Sequence, residues 1–229
     1  MNAYYFSILQ GSLMTIAVAL ASLALAVVFG LLGAAARLSP NRLAVAVGTV
    51  YTTVIRGIPD LVLMLLVFYG GTMGLNYLVT ALGSEGSVDI NPFVAGVLTL
   101  GFIYGAYMTE TFRGAILAIP RGQSEAALAF GMGRVQTFLR IIAPQMVRYA
   151  LPGFTNNWLV LIKSTALVSL IGLQEMTYLS KQASAATRSP FAFFLFTAAL
   201  FLIFTSASLW VLDKANARYS LGTRRAQLH

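Results

Sequence analysis

The stretch from Gly11 to Ala36, GSLMTIAVALASLALAVVFGLLGAAA, carries no charged side chain from end to end. A helix rises about 1.5 Å per residue, so a run of this length spans a hydrocarbon core about 30 Å thick. It lacks the basic flank that precedes the apolar core of a secretory signal, and its nearest positive residue, Arg37, follows it. It therefore reads as an uncleaved first membrane span. Four more mainly apolar segments follow at Ile58–Leu82, Pro92–Ile116, Leu151–Leu173 and Phe191–Leu212. Of the 229 residues, 58% are hydrophobic and 10% charged, against roughly a quarter charged in soluble domains. An ordinary soluble domain is excluded. The expectation is an all-α membrane protein of about five transmembrane helices, with residues 1–229 forming one domain.

The charges orient the bundle. Arg37, Arg42 and Arg56 lie between the first and second spans, and Arg113, Arg121, Arg134, Arg140 and Arg148 between the third and fourth. Lys214, Arg218, Arg224 and Arg225 follow the fifth. The loop around Glu85 and Asp89 has no Lys or Arg, and the loop between spans four and five has only Lys181 and Arg188. The positive-inside rule places the N-terminus outside and the C-terminus in the cytoplasm. The net charge of +8 is thereby explained by topology, and no nucleic-acid partner is expected. Around Arg56-Gly57-Ile58-Pro59, proline disfavours a continuous helix. Gly70/Gly74 and Gly101/Gly105 have the four-residue spacing that lets membrane helices approach closely, either within the chain or at a subunit interface.

The connection from Arg113 to Arg148 is built to be structured. Ser124 is placed to cap a short helix from Glu125 through Ala126, Ala127 and Ala129, and Gly131 and Gly133 end it. A second helix is expected from about Arg134 toward Tyr149, with arginines among Val135, Phe138, Leu139, Ile141 and Ile142 and a bend at Pro144. On physical grounds this is a basic amphipathic segment that lies on the membrane surface or docks onto a partner.

The order Glu125-Ala126-Ala127, Gly131, Ile141, Pro144 resembles the EAA signature of ABC importer permeases, with Ala143 where that pattern usually has Leu. YTTVIRGIPDLVLMLLVFYG at Tyr51–Gly70 resembles the Arg-Gly-Thr-Pro segment of polar amino-acid permeases, with Ile58 for Thr. Gly105–Met132 and Asn156–Gly172 are similar to the same family, in particular to Q-type subunits of the histidine and lysine/arginine/ornithine class. The resemblance covers most of the chain. It implies a type I ABC importer permease fold in the bacterial inner membrane, with residues 113–148 as a cytoplasmic coupling loop seated on an ATPase subunit. It also implies two ATPase copies that bind ATP and Mg²⁺, a related second permease chain rather than a second copy of this one, and a periplasmic amino-acid-binding protein. Basic amino acids are the implied cargo.

With seven acidic residues in the chain, each one at membrane depth is informative. Glu110 lies near the inner end of the third span, where a charge must be paired or hydrated. Asn156, Asn157, Lys163 and Ser164 share one side of the fourth span, which must face protein or water. That side lines a path, or it bonds to neighbouring helices with Lys163 paired to Glu110 or Glu175. Asp60, Tyr69, Thr72, Tyr104 and Tyr107 offer further polar contacts, and Asp60, Glu110 and Glu175 are candidate counter-charges for a cationic cargo.

Other classes fare less well. No Gly-x-x-x-x-Gly-Lys-Ser/Thr occurs, so no P-loop of its own is expected. There is no cysteine, and the single histidine is the terminal His229, which removes thiol and imidazole chemistry. Lys163 and Ser164 are a formal nucleophile pair, but adjacent residues on a helix point about 100° apart. A secondary transporter or channel would need paired broken helices or a charged filter, and neither is evident.

Overall fold

A computed structural model describes residues 2–83 and 89–219; Glu85, Arg224, Arg225 and His229 lie outside the described residues. Among those described there are helices and connecting turns, and five helices are long and apolar enough to cross a membrane. Each of the five contains or largely overlaps one of the segments expected from the sequence.

The first helix, α1 (Asn2–Arg37), buries Gly11, Ser12, Thr15, Ala19, Ser22, Ala26, Gly30 and Gly33 along one stripe at helical spacing. Small residues are needed there because α4 (Pro92–Leu117) lies directly against the stripe from Ser22 to Gly33, while Gly11 faces Met176 and Leu179. A methyl group on Gly33 would overlap Thr109 Oγ1, and one on Gly30 would stand 2.5 Å from Met108 Cβ. From the other side, Gly101 and Gly105 of α4 admit Leu25 and Phe29 of α1. This pair therefore packs within the chain. Gly70 and Gly74 differ, since nothing lies within 4 Å of the position a side chain would take.

Between them, α2 (Arg42–Gly57) starts on an Asn41 cap, whose side-chain oxygen accepts from Leu43 N at 2.9 Å. By composition this stretch reads only as the connection between the first two spans, so the helix is a further correction. Ile58 is extended (φ −107°, ψ 137°), as the residue before a proline must be, and α3 (Asp60–Ala81) begins beyond Pro59. α4 is the hub of the bundle. Leu100, Ile103, Tyr104, Ala106 and Met108 along it are almost wholly buried, with α1, α2, α3 and the helix Ala143–Ser164 around them.

Three expectations are corrected downstream. The loop helix α5 runs Arg121–Ala129 from a Pro120 start with no side-chain cap, so Ser124 lies inside it. A proline is favourable at a helix start because its ring pre-sets the backbone angle, and here it begins the helix a turn earlier than Ser124 would. Next, α6 (Arg134–Thr137) leads through a π-turn at Phe138–Ile142 straight into α7 (Ala143–Ser164), so the second loop helix and the fourth span are one body. Pro144 offers no N–H, so the ladder widens just before it. Ala143 N donates to Phe138 O, and Gln145 Nε2 donates to Ile141 O at 2.9 Å. A 3₁₀ segment, Thr165–Ile171, ends at Gly172 with φ +89°. The third correction is a helix where a loop was expected, α8 (Met176–Thr187), preceding α9 (Pro190–Tyr219).

Outward, the spans present large apolar side chains, among them Leu13, Leu32, Leu66, Met73 and Leu202. Such a surface suits lipid and would not suit water. Arg37, Arg113, Arg121, Arg134, Arg140 and Arg148 all fall at one end of the bundle's connectivity, which keeps the outside-to-cytoplasm orientation.

Candidate functional site

Asp60 stands in the first turn of α3, where the helix dipole favours a negative charge. Its Oδ2 accepts a hydrogen bond of 2.9 Å from Tyr104 OH. Tyr104 is 2% exposed, and its oxygen also lies 2.6 Å from Ser164 Oγ at the end of α7. Three helices thus bring a carboxylate, a phenol and a hydroxyl together. Tyr104 is twelve residues into α4, so this group sits about 18 Å along the span, near mid-bilayer. The α2–α3 break is adjacent. Irregular backbone at membrane depth is tolerated where it is covered by protein or lines a water-filled cavity.

The polar run continues toward the cytoplasm. The rings of Tyr104 and Tyr107 stack with centroids 5.6 Å apart, and the Arg56 guanidinium lies 5.3 Å over Tyr107. Below them, Arg37, Thr52, Thr53, Arg56, Gly57, Tyr107 and Glu110 line a cavity of about 430 Å³. Glu110 Oε2 accepts from Arg113 Nε and Nη2 at 3.0 and 2.8 Å, and its Oε1 lies 3.7 Å from Arg37 Nη2.

The other sequence candidates divide. Asn157 is buried and donates to Thr111 Oγ1 at 3.0 Å, tying α7 to α4. Asn156 and Lys163, a helical repeat apart, are exposed on the outside of this chain. Lys163 pairs with neither Glu110 nor Glu175. Tyr69 is exposed against Phe68, and Thr72 bonds back to Phe68 O within its own helix. Glu175 is 1% exposed and remote in role from the others. It caps α8 by accepting from Tyr178 N at 2.8 Å, and it meets Thr15 of α1 at 3.1 Å. In the sequence Arg37 reads only as a topology marker, and Arg56 as that and as part of the segment resembling Arg-Gly-Thr-Pro. Their one local signal was Arg56 preceding a Gly-Ile-Pro break.

In the cytoplasmic loop, Glu125 and Ala126 are exposed while Ala127 is buried. Met132 N donates to Ala127 O and Gly131 N to Leu128 O, with Gly131 at φ +81°. That double bond closes a helix with a left-handed residue after its last turn, the conformation glycine adopts most cheaply. The turn leaves Leu128, Phe130 and Val135 exposed beside Glu125 and the arginines.

Residues 26–218 match the family model described as "Binding-protein-dependent transport system inner membrane component". The chain belongs to this family. It is a non-catalytic, multi-pass inner-membrane permease of an ABC importer. It is 53% identical, over 98% of this chain and 99% of the relative, to the histidine/lysine/arginine/ornithine transport system permease protein HisQ of Escherichia coli. The octopine transport system permease protein OccQ of Rhizobium radiobacter is 41% identical over 98% and 94% of the two chains. Among solved structures, an amino acid ABC transporter with histidines superposes with a TM-score of 0.80 at 29% identity, covering 95% of this permease and 96% of that chain. The methionine transporter MetNI matches at 0.75 and 17% identity, which supports the type I fold alone.

Proposed function

We propose that this permease carries a basic amino acid along a path bounded by α3, α4 and α7, driven by a pair of ATPase subunits, one of which is seated on α5. The observation that carries the path is the Asp60–Tyr104–Ser164 group at mid-bilayer beside a broken helix. Buried polar groups at that depth are costly, and they gather where a polar solute or its counter-charge has to be met. The names of HisQ and OccQ supply the substrate class, cationic amino acids and their derivatives. Asp60 is the carboxylate nearest the centre of the membrane and is the proposed counter-charge.

Residues 113–148 form the proposed coupling loop within a single permease domain of residues 1–229. Glu125, Ala126, Ala127, Gly131, Ile141 and Pro144 fix its shape and charge. ATP and Mg²⁺ belong to the ATPase subunits, a periplasmic binding protein delivers cargo, and a related permease chain completes the pore. Lys163 and Asn156 support that last point, because an exposed ammonium at membrane depth costs about 3 kcal/mol against lipid and needs protein or water.

The test is transport in vesicles carrying the assembled complex. Asp60→Asn should remove most uptake while ATPase activity stimulated by the binding protein persists. Uptake at the wild-type level would reject Asp60 as counter-charge. Glu125→Lys should insert normally and lose ATPase association; a fully coupled Glu125→Lys complex would instead leave the loop as a membrane-surface helix.

A further inference from the structure

The cavity at the cytoplasmic end of the polar run has an arrangement of charge that the counter-charge reading of Glu110 does not use. Glu110 was expected to balance a cationic cargo. Instead its Oε2 is taken by two bonds from Arg113, and its Oε1 is buried, makes no hydrogen bond, and has only the Arg37 guanidinium at 3.7 Å. Arg37 in turn spends Nη1 on Thr52 Oγ1 at 3.2 Å. Arg56 lies over the Tyr107 ring and has no carboxylate within 4 Å among the described residues.

Just beneath one wall of the cavity lies a carboxylate oxygen lacking a hydrogen-bond donor, and another wall offers a planar guanidinium lacking an acceptor. Thr52 and Thr53 hydroxyls stand among the lining residues. With Arg37, Arg56 and Arg113 against Glu110, the surroundings carry two positive charges in excess, so a bare cation is disfavoured. A free α-amino acid presents an ammonium and a carboxylate on one carbon. That pair is complementary to both groups at once, the guanidinium fork taking the carboxylate and the Glu110 carboxylate the ammonium after a small side-chain shift that uncovers Oε1.

We infer that this cavity binds the zwitterionic head group of the transported α-amino acid, as a second station on the cytoplasmic side of the Asp60 group. The side chain of the cargo is read at mid-bilayer, and its head group, common to all α-amino acids, is read here. The inference rests on the path proposed above.

The experiment uses the assembled complex with its ATPase and second permease chain in nanodiscs of neutral lipid, without the binding protein. Equilibrium binding of labelled L-arginine is measured in competition with agmatine, which is arginine without its carboxylate. Wild type should bind arginine at least about tenfold more tightly than agmatine, the scale of one charge-assisted pair. Arg56→Gln should weaken arginine about tenfold without weakening agmatine, a dication that loss of a nearby positive charge can only favour, and so erase the discrimination, while Arg56→Lys restores part of it. Co-purification of the ATPase with each variant shows that it has folded.

Equal affinity of arginine and agmatine for wild type would overturn the head-group site and leave the Asp60 path standing. Competition by millimolar inorganic phosphate, or by anionic lipid in the disc, as strong as that by arginine would also overturn it, making the cavity a general anion site. Absence of any arginine binding to wild type would remove the path itself, and the head-group site with it.

Discussion

Gly131 illustrates how one residue fixes a surface. Its φ of +81° lets Met132 N and Gly131 N turn back to Ala127 O and Leu128 O, and a side chain there costs about 1–2 kcal/mol. Open space surrounds it, so the strain is in the backbone alone. Gly131→Val should lower ATPase retention on affinity purification while the apparent melting temperature of the permease in detergent falls by only a few degrees. Glu175 makes the opposite case, a charged residue whose work is internal. Burial raises its carboxyl above the ordinary value near 4.5, against the pull of the Thr177 and Tyr178 N–H groups. A raised carboxyl holds its proton longer in the folded chain than in the unfolded one. Its contribution is complete below the unfolded value and is lost as pH rises through the higher folded value. Wild-type stability in detergent should therefore fall relative to Glu175→Gln as pH climbs above about 4.5. Parallel curves for the two proteins would show that the carboxyl does not titrate differently on folding. Neither role was visible from composition. Glu175 looked like a counter-charge only because acids are scarce, whereas the hydrogen bonds to Thr15 and Tyr178 depend on a helix, α8, hidden in a segment that looked like a loop.

At the scale of elements, the spans were legible because a continuous apolar run has one economical solution in lipid, a helix with all its backbone bonds satisfied. What composition did not reveal were helices too short and too polar to read as spans, α2 and α8. The Pro59 break was legible and its consequence was not, since a proline marks where a helix restarts without stating which neighbour meets the restart. Tyr104, forty-four positions away, does so here. The loop was misjudged at Ser124 for a related reason, a good capping residue lying inside a helix already begun by Pro120. The glycines make a sharper test. Gly33→Leu and Gly101→Leu would drive atoms into α4 and α1, and overpacking of this kind costs about 1–3 kcal/mol or more. Both variants should give poor yields of monodisperse permease by size-exclusion chromatography. Gly70→Ala, facing open space, should match wild type when the chain is purified alone.

For the whole molecule, the bundle leaves one side of α7 with a polar character its lipid-facing neighbours lack. Asn156 and Lys163 lie a helical repeat apart on that side, and Arg148, fifteen residues before Lys163, marks the cytoplasmic end. Lys163 is then about 22 Å into the membrane, too deep for its side chain to be left in hydrocarbon without a partner. Ser164, the next residue, belongs to the Asp60–Tyr104 group, so the exposed face and the proposed path adjoin. A second permease chain packed there would cover the ammonium and enclose the path in one step. The absence of cysteine from the chain makes this directly measurable. A single cysteine at Asn156 should crosslink to single cysteines in the related permease of the assembled complex through a short bifunctional reagent. A cysteine at Leu13, on the lipid-facing side of α1, should not. Crosslinks from Leu13 alone would put the partner on α1 and leave Lys163 to a water-filled groove within this chain. Crosslinks between two copies of Asn156→Cys would make the pore a homodimer and remove the need for a related chain.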